Sequence, residues 1–248
     1  MATRVKSTKP AGGEPATLAS TAYERLRREI IAGDFPPGRK LHIRRLCERY
    51  DVGLSPMREA LNRVSRDGLV RQNDLRGFSV APVSLEDLAD LTRSRCWLNE
   101  IALRQSIKDG DAEWEEGIVL AFHRFSRAGD PLAAMTPEER ANHEGAHRNF
   151  HASLIAACGS GRLRDYCEQL FDAADRYRNL KQPHQFETRR KRDEHREIME
   201  AVLARDVEKA VRLLIDHFKG TEQIASGEIS RFDKVSGPGL KKPARAIP

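Results

Sequence analysis

The segment 41–82 constrains the fold of this chain most, because two short amphipathic patterns, a tight turn and two strand-like runs follow one another without a gap. In the second amphipathic pattern, apolar residues recur at i, i+3, i+4 and i+7. These residues are Met57, Ala60, Leu61 and Val64. The spacing predicts a helix with one buried face. Ser55 and Pro56 predict its start, since a serine hydroxyl accepts from first-turn amides and proline needs no N–H there.

The residues around this helix complete the pattern of a winged helix-turn-helix. Residues 43–50 have an apolar stripe at helical spacing, and residues 51–53 predict the turn between the two helices. Gly68 is typical of a helix C-cap, and the strand-like runs 69–71 and 78–80 predict a two-stranded wing. A helix that is apolar on one side and basic on the other can enter the major groove of DNA.

Charge is distributed unevenly along the chain. Residues 18–82 contain 13 Lys and Arg against 8 Asp and Glu, a net charge of +5, whereas residues 83–225 contain 22 against 26, a net charge of −4. A basic module favours binding to a polyanion, and double-stranded DNA is the expected partner. The expected DNA-contacting residues are Arg44, Arg45, Ser55, Arg58, Asn62, Arg76 and Gly77. The alternative is a small helical domain whose arginines are simply solvated.

The composition is that of a folded, soluble protein, since 39% of the 248 residues are hydrophobic and 32% are charged. No apolar run approaches the roughly 20 residues that span a bilayer, and the N-terminal residues lack the apolar stretch of a signal peptide. We therefore expect a cytoplasmic protein that does not bind a membrane.

The four cysteines form no CxxC pair, which favours buried, reduced thiols. No Walker loop or nucleophile elbow supports catalysis.

From Ser84 onward the sequence shows only helical patterns, and six amphipathic segments predict a helical bundle. The predicted helices are 85–108, 112–127, 137–158, 162–179, 188–204 and 207–224. We therefore predict a mainly α fold, with a winged helix-turn-helix domain at 17–82 and an all-helical domain at 84–226. The segments 1–16 and 227–248 are rich in Gly, Pro, Lys and Ser without periodicity, and we expect them to be disordered tails.

Four histidines of the predicted helical domain are candidates for a shared metal site. His147 and His151 are four residues apart, so they project from one helical face about a turn apart. His195 and His217 lie on the last two predicted helices, which a compact bundle can bring opposite the first pair. Imidazole clusters suit Zn(II), Ni(II) or a similar divalent ion. Any one of these histidines, taken alone, is more simply explained as a surface or core residue. The candidate acceptors that would orient the rings are Asp193, Glu194, Glu197 and Asp216.

A rival motif overlaps this site, because His143-Glu144-Gly145-Ala146-His147 matches the zinc-peptidase pattern H-E-x-x-H. In such enzymes the two histidines bind zinc and the glutamate is the general base on the bound water. Gly145 weakens the helix that the pattern needs, and Phe150 and Ser153 stand where one class of these peptidases has glycine and histidine. We expect a protein that is not an enzyme, and we keep a metallopeptidase as the alternative.

Several motifs are similar to those of one bacterial family. They are Pro37-Gly38-x-x-Leu41, Pro56-Met57-Arg58-Glu59-Ala60-Leu61, Asp67-Gly68-Leu69-Val70 and Gly77-Phe78-x-Val80, followed by His147-Arg148-Asn149-Phe150-His151, Glu194-His195 and Asp216-His217. On these residues the chain resembles the GntR family of transcription regulators, in the FadR-like branch with an FCD effector domain. The resemblance covers about 18–224. It implies a ligand-responsive DNA-binding regulator, and we expect a repressor that binds an operator as a homodimer.

The resemblance also implies site residues. In the FCD branch one carboxylate and three histidines typically bind the metal, and the carboxylate position is a histidine here. The implied site, with Zn or Ni as the ion, is His147, His151, His195 and His217. Arg95 matches an arginine that in relatives helps to hold a carboxylate, which implies a small carboxylate effector. Asn99 stands where many relatives have glutamate.

On the DNA side, Arg44 and Arg58 match contact positions of the family. Gly53 and Leu54 replace the usual serine and arginine at the start of the second helix. Loss of that arginine removes an expected guanine contact, so we expect an operator that differs from those of typical relatives.

Overall fold

The computed structural model describes residues 17–73, 77–128, 135–179 and 189–236. The first domain contains helices and a small antiparallel sheet. Its elements are α1 (Leu18–Ile31), β1 (Lys40–Leu41), α2 (Ile43–Tyr50), α3 (Leu54–Arg66), β2 (Val70–Asn73) and β3 (Gly77–Val80). The strand order is β1-β3-β2, and the register of the wing pairs Val70 with Val80 and Asn73 with Gly77. The winged helix-turn-helix predicted for this part of the chain is confirmed.

The core of the first domain forms where the apolar stripe of α3 meets α1. Every residue of the predicted stripe, from Met57 to Val64, is fully buried. Leu26 and Ile30 of α1 belong to the same buried cluster. The turn between α2 and α3 depends on Asp51, whose φ of 53° lies in the left-handed region that aspartate enters more readily than most residues.

The N-cap of α3 lies two residues earlier than predicted. The helix begins at Leu54, and its N-cap is Gly53 without a side-chain hydrogen bond, so the prediction that Ser55 caps the helix was wrong. The Gly53 carbonyl accepts from the Met57 amide at 3.2 Å, which closes the first turn earlier. Pro56 then occupies the third helical position, where its missing N–H is equally unneeded.

The strands of the wing also differ in detail. β2 starts at Val70 because Leu69 still lies in the turn that closes the end of α3. The Leu69 amide donates to the Val64 carbonyl at 3.2 Å, and Gly68, with a φ of 74°, allows the chain to turn there. β1 was not predicted. It pairs with β3 over only two residues, and a strand of that length has no periodicity to read.

The second domain is the predicted helical bundle. Over the described residues its helices are α4 (Leu85–Asp109), α5 (Ala112–Arg127), α6 (Pro137–Leu154), α7 (Gly161–Arg178), α8 (Arg189–Leu203) and α9 (Val207–Ser236). Two predicted helix starts are confirmed, since Ser84 accepts from the Asp87 amide at 3.0 Å and Thr136 forms a reciprocal capping box with Glu139. Among the described helices, none is both long and apolar enough to cross a membrane.

Two helix ends differ from the prediction. α6 ends at Leu154 rather than at residue 158, because the amides of Ile155 and the residues after it bond three residues back instead of four. α9 continues to Ser236, so residues 227–236 are helical rather than part of a disordered tail. The reason is that the apolar face of α9 extends past the predicted end, and Ile229 packs in one buried cluster with Leu88 of α4.

α7 joins the two domains. The Asn179 side chain, at the end of this helix, donates to the Ile31 carbonyl of α1 at 3.1 Å. The Arg176 guanidinium donates to the Ala81 and Pro82 carbonyls at 3.0 and 3.3 Å. One helix of the helical domain therefore contacts both α1 and the segment that follows the wing.

Candidate DNA-binding face and histidine site

The DNA-contacting candidates that the structure describes are all exposed. They are Arg44, Arg45, Ser55, Arg58, Asn62 and Gly77. The three candidates on α3 are spaced by three and four residues, so they share the face opposite the buried stripe. The two candidates on α2 lie in its first turn, and the glycine opens β3. Arg76, the expected wing-tip residue, lies outside the described residues.

Other arginines of this domain are held in contacts that stabilise the fold. Arg49 forms an ion pair with Glu29 at 2.8 Å, and Arg63 donates to the Ser20 hydroxyl at 3.1 Å. At the start of α3, Leu54 is 57% exposed. The leading turn of this helix therefore presents an apolar side chain, with arginine one turn later.

Four buried histidines meet in the helical domain. His147 and His151 come from α6, His195 from α8 and His217 from α9, and one ring nitrogen of each lies within 4.8 Å of the others. Nε2 of His147 is 3.1 Å from Nε2 of His151 and 3.1 Å from Nε2 of His195. Each of the four residues is at most 7% exposed. Packing thus brings together the four histidines that the sequence singled out.

The chemistry of this cluster suits a divalent ion. The pKa values of His147 and His151 lie well below the usual value for histidine, mainly because both rings are buried. Both rings are therefore neutral near pH 7. An ion bound at about 2.0–2.1 Å separates adjacent nitrogen ligands by roughly 3.0–3.4 Å, and the observed spacings fall in this range. Nδ1 of His217 lies 3.1 Å from the Glu194 carboxylate, so this predicted acceptor is in place to orient the ring. The other predicted acceptors are exposed, namely Asp193, Glu197 and Asp216.

A basic side chain reaches the cluster from α7. Nη1 of Arg178 lies 2.9 Å from Nδ1 of His147, and Nη2 lies 3.4 Å from the Asp175 carboxylate. Phenyl rings form the walls, with the centroids of Phe125 and Phe171 at 5.2 and 5.7 Å from that of His147. Apolar walls exclude water, so each polar contact inside the cluster is stronger than it would be in solvent.

Arg95 lies beside the cluster on α4. It is 7% exposed, and its guanidinium carbon is 4.1 Å from the ring centroid of Phe218 and 5.7 Å from that of Phe171, rings that His151 also contacts. Burial lowers the pKa of Arg95 to about 10, and its buried Nε has no hydrogen-bond partner among the described residues. Asn99 donates to the Arg95 carbonyl at 3.0 Å instead of contacting the guanidinium. An anion would therefore be stabilised here.

A cavity of about 500 Å³ opens between α6 and α7 beside His151. One of its lining residues, Arg148, donates to the buried Asp172 carboxylate, and Asp172 also pairs with Arg27 of α1. One carboxylate is thus shared between the wall of the cavity and the DNA-binding domain. The polar residues that line the cavity are Asn99, Arg148, Asn149, His151, Ser153, Arg164, Asp165 and Glu168.

The peptidase motif is not assembled. His143 packs on Phe125 with ring centroids 5.4 Å apart, and in the described part of the chain it does not belong to the group that meets at His147. In H-E-x-x-H enzymes both histidines bind one ion. Burial raises the pKa of Glu144. Among the described residues, the group of possible metal ligands includes His147 but neither His143 nor Glu144.

Three charged residues near the site were not predicted, namely Arg148, Asp172 and Arg178. α7 does carry a signal that could have indicated Asp172 and Arg178. Its second half buries charged residues among apolar ones, including Asp175 and Arg176. Charges at positions that helical periodicity assigns to a core predict buried ion pairs, because charged side chains are almost never fully buried alone. Their partners, however, come from α1 and α6, which only the fold brings near.

Two family models match the chain. The model described as bacterial regulatory proteins, gntR family, matches residues 18–80, and the FCD domain model matches residues 90–220. The first range contains the exposed arginines of α2 and α3. The second contains Arg95 and all four histidines of the cluster.

Related sequences and solved structures agree with these matches. The chain is 37% identical over 210 residues to the uncharacterized HTH-type transcriptional regulator BphR of Paraburkholderia xenovorans, covering 83% of this chain and 84% of that protein. It is 33% identical over 203 residues to the HTH-type transcriptional repressor GlaR of Escherichia coli, covering 79% and 90%. The E. coli McbR/YncC structure shares the fold, with a TM-score of 0.71 at 18% identity over 86% of this chain and 99% of that one. This chain therefore belongs to the GntR family of bacterial regulatory proteins, in the FadR-like branch with an FCD domain, and is a DNA-binding transcription regulator rather than an enzyme.

Proposed function

We propose that this regulator is a repressor that binds its operator as a homodimer and responds to a small carboxylate held at a metal-containing helical domain. The observation that carries the proposal is the buried Arg95 guanidinium, whose Nε has no partner among the described residues, beside four buried histidines. A carboxylate can accept from a guanidinium and also bind a divalent ion. The relative GlaR is named a repressor, which supports the same direction of control here.

Zn(II) or Ni(II) fits the donor set of the cluster. The four histidines of the cluster would hold the ion, namely His147, His151, His195 and His217. Bound there, the ion would supply positive charge that attracts a carboxylate oxygen. Arg95 would orient the same carboxylate through its free N–H, and the phenyl rings around the guanidinium would exclude water from the pair.

Asp172 offers a physical route from the effector to the DNA-binding domain. Its buried carboxylate holds Arg148 on the wall of the cavity and Arg27 on α1. An anion that enters the cavity would compete with Asp172 for Arg148, and so change the electrostatic attraction between α7 and α1. An effector that binds one arrangement of the two domains better than another shifts the population toward that arrangement.

α3 is the helix that we propose enters the major groove. Arg58 is exposed there and can donate to a guanine edge or a phosphate, while the exposed Leu54 can contact a thymine methyl group. In a homodimer, two copies of α3 would read two half-sites related by a two-fold axis. An apolar contact at the first turn would favour thymine where an arginine would select guanine.

Operator binding tests the DNA-binding part of the proposal. DNA that flanks the gene is titrated with the full-length protein at fixed ionic strength, and binding is followed by fluorescence anisotropy. We expect Arg58→Ala to weaken binding by about 1–3 kcal/mol. Arg212→Ala, an exposed arginine of α9, is the matched control and should leave affinity unchanged. Equal affinity of the wild type and Arg58→Ala would contradict the proposed docking.

The effector part is tested on the same DNA with a panel of small mono- and dicarboxylates. A carboxylate that binds is expected to raise the melting temperature of the protein and to change its operator affinity. His151→Ala combined with His195→Ala should abolish this response while operator binding without effector persists. A response that survives both replacements would remove the metal from the mechanism, and loss of operator binding itself would show that the variant is misfolded rather than unresponsive.

A further inference from the structure

The outer side of α4 carries two large apolar side chains that belong neither to the histidine cluster nor to the DNA-binding face. Trp97 is 62% exposed and Ile101 is 57% exposed. They are four residues apart, so they lie one turn from each other on the same face of the helix. A single exposed apolar residue needs no explanation, whereas two large neighbours indicate a surface that another molecule covers.

α7 extends this apolar surface beside α4. The Tyr177 hydroxyl, near the end of α7, donates to the Asp87 carboxylate near the start of α4. Two turns earlier on α7, the ring centroid of Phe171 lies 5.7 Å from the guanidinium carbon of Arg95, two turns later on α4. The two helices therefore run antiparallel, and Tyr166, still earlier on α7 and 56% exposed, lies level with the two exposed residues of α4.

The charges on this face of α4 are arranged symmetrically about Trp97. Asp90 precedes Trp97 by seven residues and Arg104 follows it by seven. Glu86 and Lys108 lie eleven residues before it and after it. Spacings of seven and eleven residues keep these side chains on the side of the helix that carries Trp97. Each acidic residue before the centre thus corresponds to a basic residue after it.

A second copy of the same helix fits this pattern when it runs antiparallel across a two-fold axis at Trp97. Each residue then meets the one that lies equally far on the other side of the centre. Asp90 faces the partner's Arg104, and Glu86 faces the partner's Lys108. A parallel pairing would place like charges opposite each other, which is unfavourable.

The ion pairs within one chain do not oppose this arrangement. Asp90 pairs with Arg93 at 3.1 Å, and Arg104 pairs with Glu100 at 2.9 Å and with Glu208 at 2.6 Å. Pairs with this much exposure contribute little to stability, so they can be rearranged or shared when a further acidic group approaches. The apolar centre would provide most of the affinity, and the charged ends would determine the register.

We infer that the face of α4 centred on Trp97, together with Tyr166 of α7, is the surface through which two copies of this chain associate. The inference rests on the proposed function in one respect, the homodimer, and adds its surface and its register. Leu85 starts α4 twelve residues before Trp97, about 18 Å along the helix, so the starts of the two α4 helices lie about 36 Å apart. DNA-binding domains that precede these starts are suited to half-sites about 34–36 Å apart.

Sedimentation equilibrium of the full-length protein, without DNA or effector, tests the surface. Trp97→Glu should raise the dissociation constant of the dimer more than about 30-fold, the effect of a central aromatic residue in an interface. Ile101→Glu is a second variant with a loss of the same kind. Leu120→Glu is the matched control, since Leu120 is 48% exposed on α5, which packs mainly on α6 and α8. Its constant should stay within about threefold of the wild type.

A charge reversal tests the antiparallel register. Lys108→Glu places two acidic groups opposite each other and should weaken the dimer by up to about fivefold. Adding Glu86→Lys to the same chain exchanges the two charges and should restore the affinity of the wild type. A double variant that dimerises no better than Lys108→Glu would overturn the antiparallel register.

The outcomes for the wild type separate this inference from the proposed function. A dimeric wild type whose dissociation constant is unchanged in both Trp97→Glu and Ile101→Glu would refute only the surface assigned here. A wild type that stays monomeric in solution and on operator DNA would refute both this inference and the homodimer of the proposed function. Far-UV circular dichroism of each variant shows that any loss of dimer arises in a folded chain.

Discussion

Replacing Asp172 with asparagine removes a charge that two arginines from different elements share. The Asp172 side chain is only 5% exposed, and it pairs with Arg27 of α1 and with Arg148 of α6. Asparagine keeps the size of the side chain and its carbonyl acceptor, but both arginines lose a buried counter-ion. We therefore expect Asp172→Asn to lower the free energy of unfolding of the helical domain and to loosen its contact with α1.

The magnitude follows from the burial of the three partners. Breaking a fully buried ion pair by removing one partner costs about 3–5 kcal/mol. Arg27 and Arg148 are 23% and 24% exposed, and Arg148 keeps Glu168 at 3.6 Å and Asp175 at 3.7 Å. Solvent and these remaining partners reduce the expected loss to about 2–4 kcal/mol.

Glu168→Gln is the matched control, since Glu168 contacts the same Arg148 from one turn earlier on α7 but is 63% exposed. An exposed pair of this kind contributes less than about 1 kcal/mol. Urea titration followed by the fluorescence of Trp97 and Trp114, both in the helical domain, measures the free energy of unfolding of each variant. Equal losses in Asp172→Asn and Glu168→Gln would refute the claim that burial gives the Asp172 charge its large contribution.

Two further predictions concern stability. The free energy of unfolding of the metal-free protein should fall as the pH is lowered from about 7 to 5. Because burial holds the folded-state pKa of His147 and His151 well below 6.5, the unfolded chain binds more protons below that pH, at up to about 1.4 kcal/mol per pH unit for each ring; a flat profile in urea titrations would contradict this. Gly33→Ala should destabilise the protein more than Gly68→Ala. Both glycines have positive φ, which costs an L residue about 1–2 kcal/mol, but only at Gly33 would the added Cβ lie 2.7 Å from the Asn179 carbonyl oxygen. Thermal melts that rank the two variants equally would disprove the close approach of α1 and α7.

Most of the first domain could be predicted because its signals are local. The stripe from Met57 to Val64 and the turn at 51–53 are properties of neighbouring residues, and the structure confirms both. The error at the start of α3 also concerns residues that are close together in the sequence. Ser55 and Gly53 compete to start α3 within three residues, and the carbonyl of Gly53 closes the first turn.

The sequence predicted each helix of the helical domain, but it predicted the ends of some of these helices less accurately. Helical spacing predicted α4 to α9, and the caps at Ser84 and Thr136 predicted where two of them start. The end of α9 depended on a long-range contact, because Ile229 extends the helix only by packing near α4. No residue close to Ile229 in the sequence carries that information.

The sequence by itself determined the two-domain order, the arginines of the exposed face and the histidines that could serve one ion. Helical geometry alone places His147 and His151 on one face. The tertiary structure alone decided that Arg178 donates to His147 and that Asp172 holds both Arg27 and Arg148. The physical reason is that periodicity determines which side of a helix is buried, whereas the partner it meets there depends on packing between elements far apart along the chain.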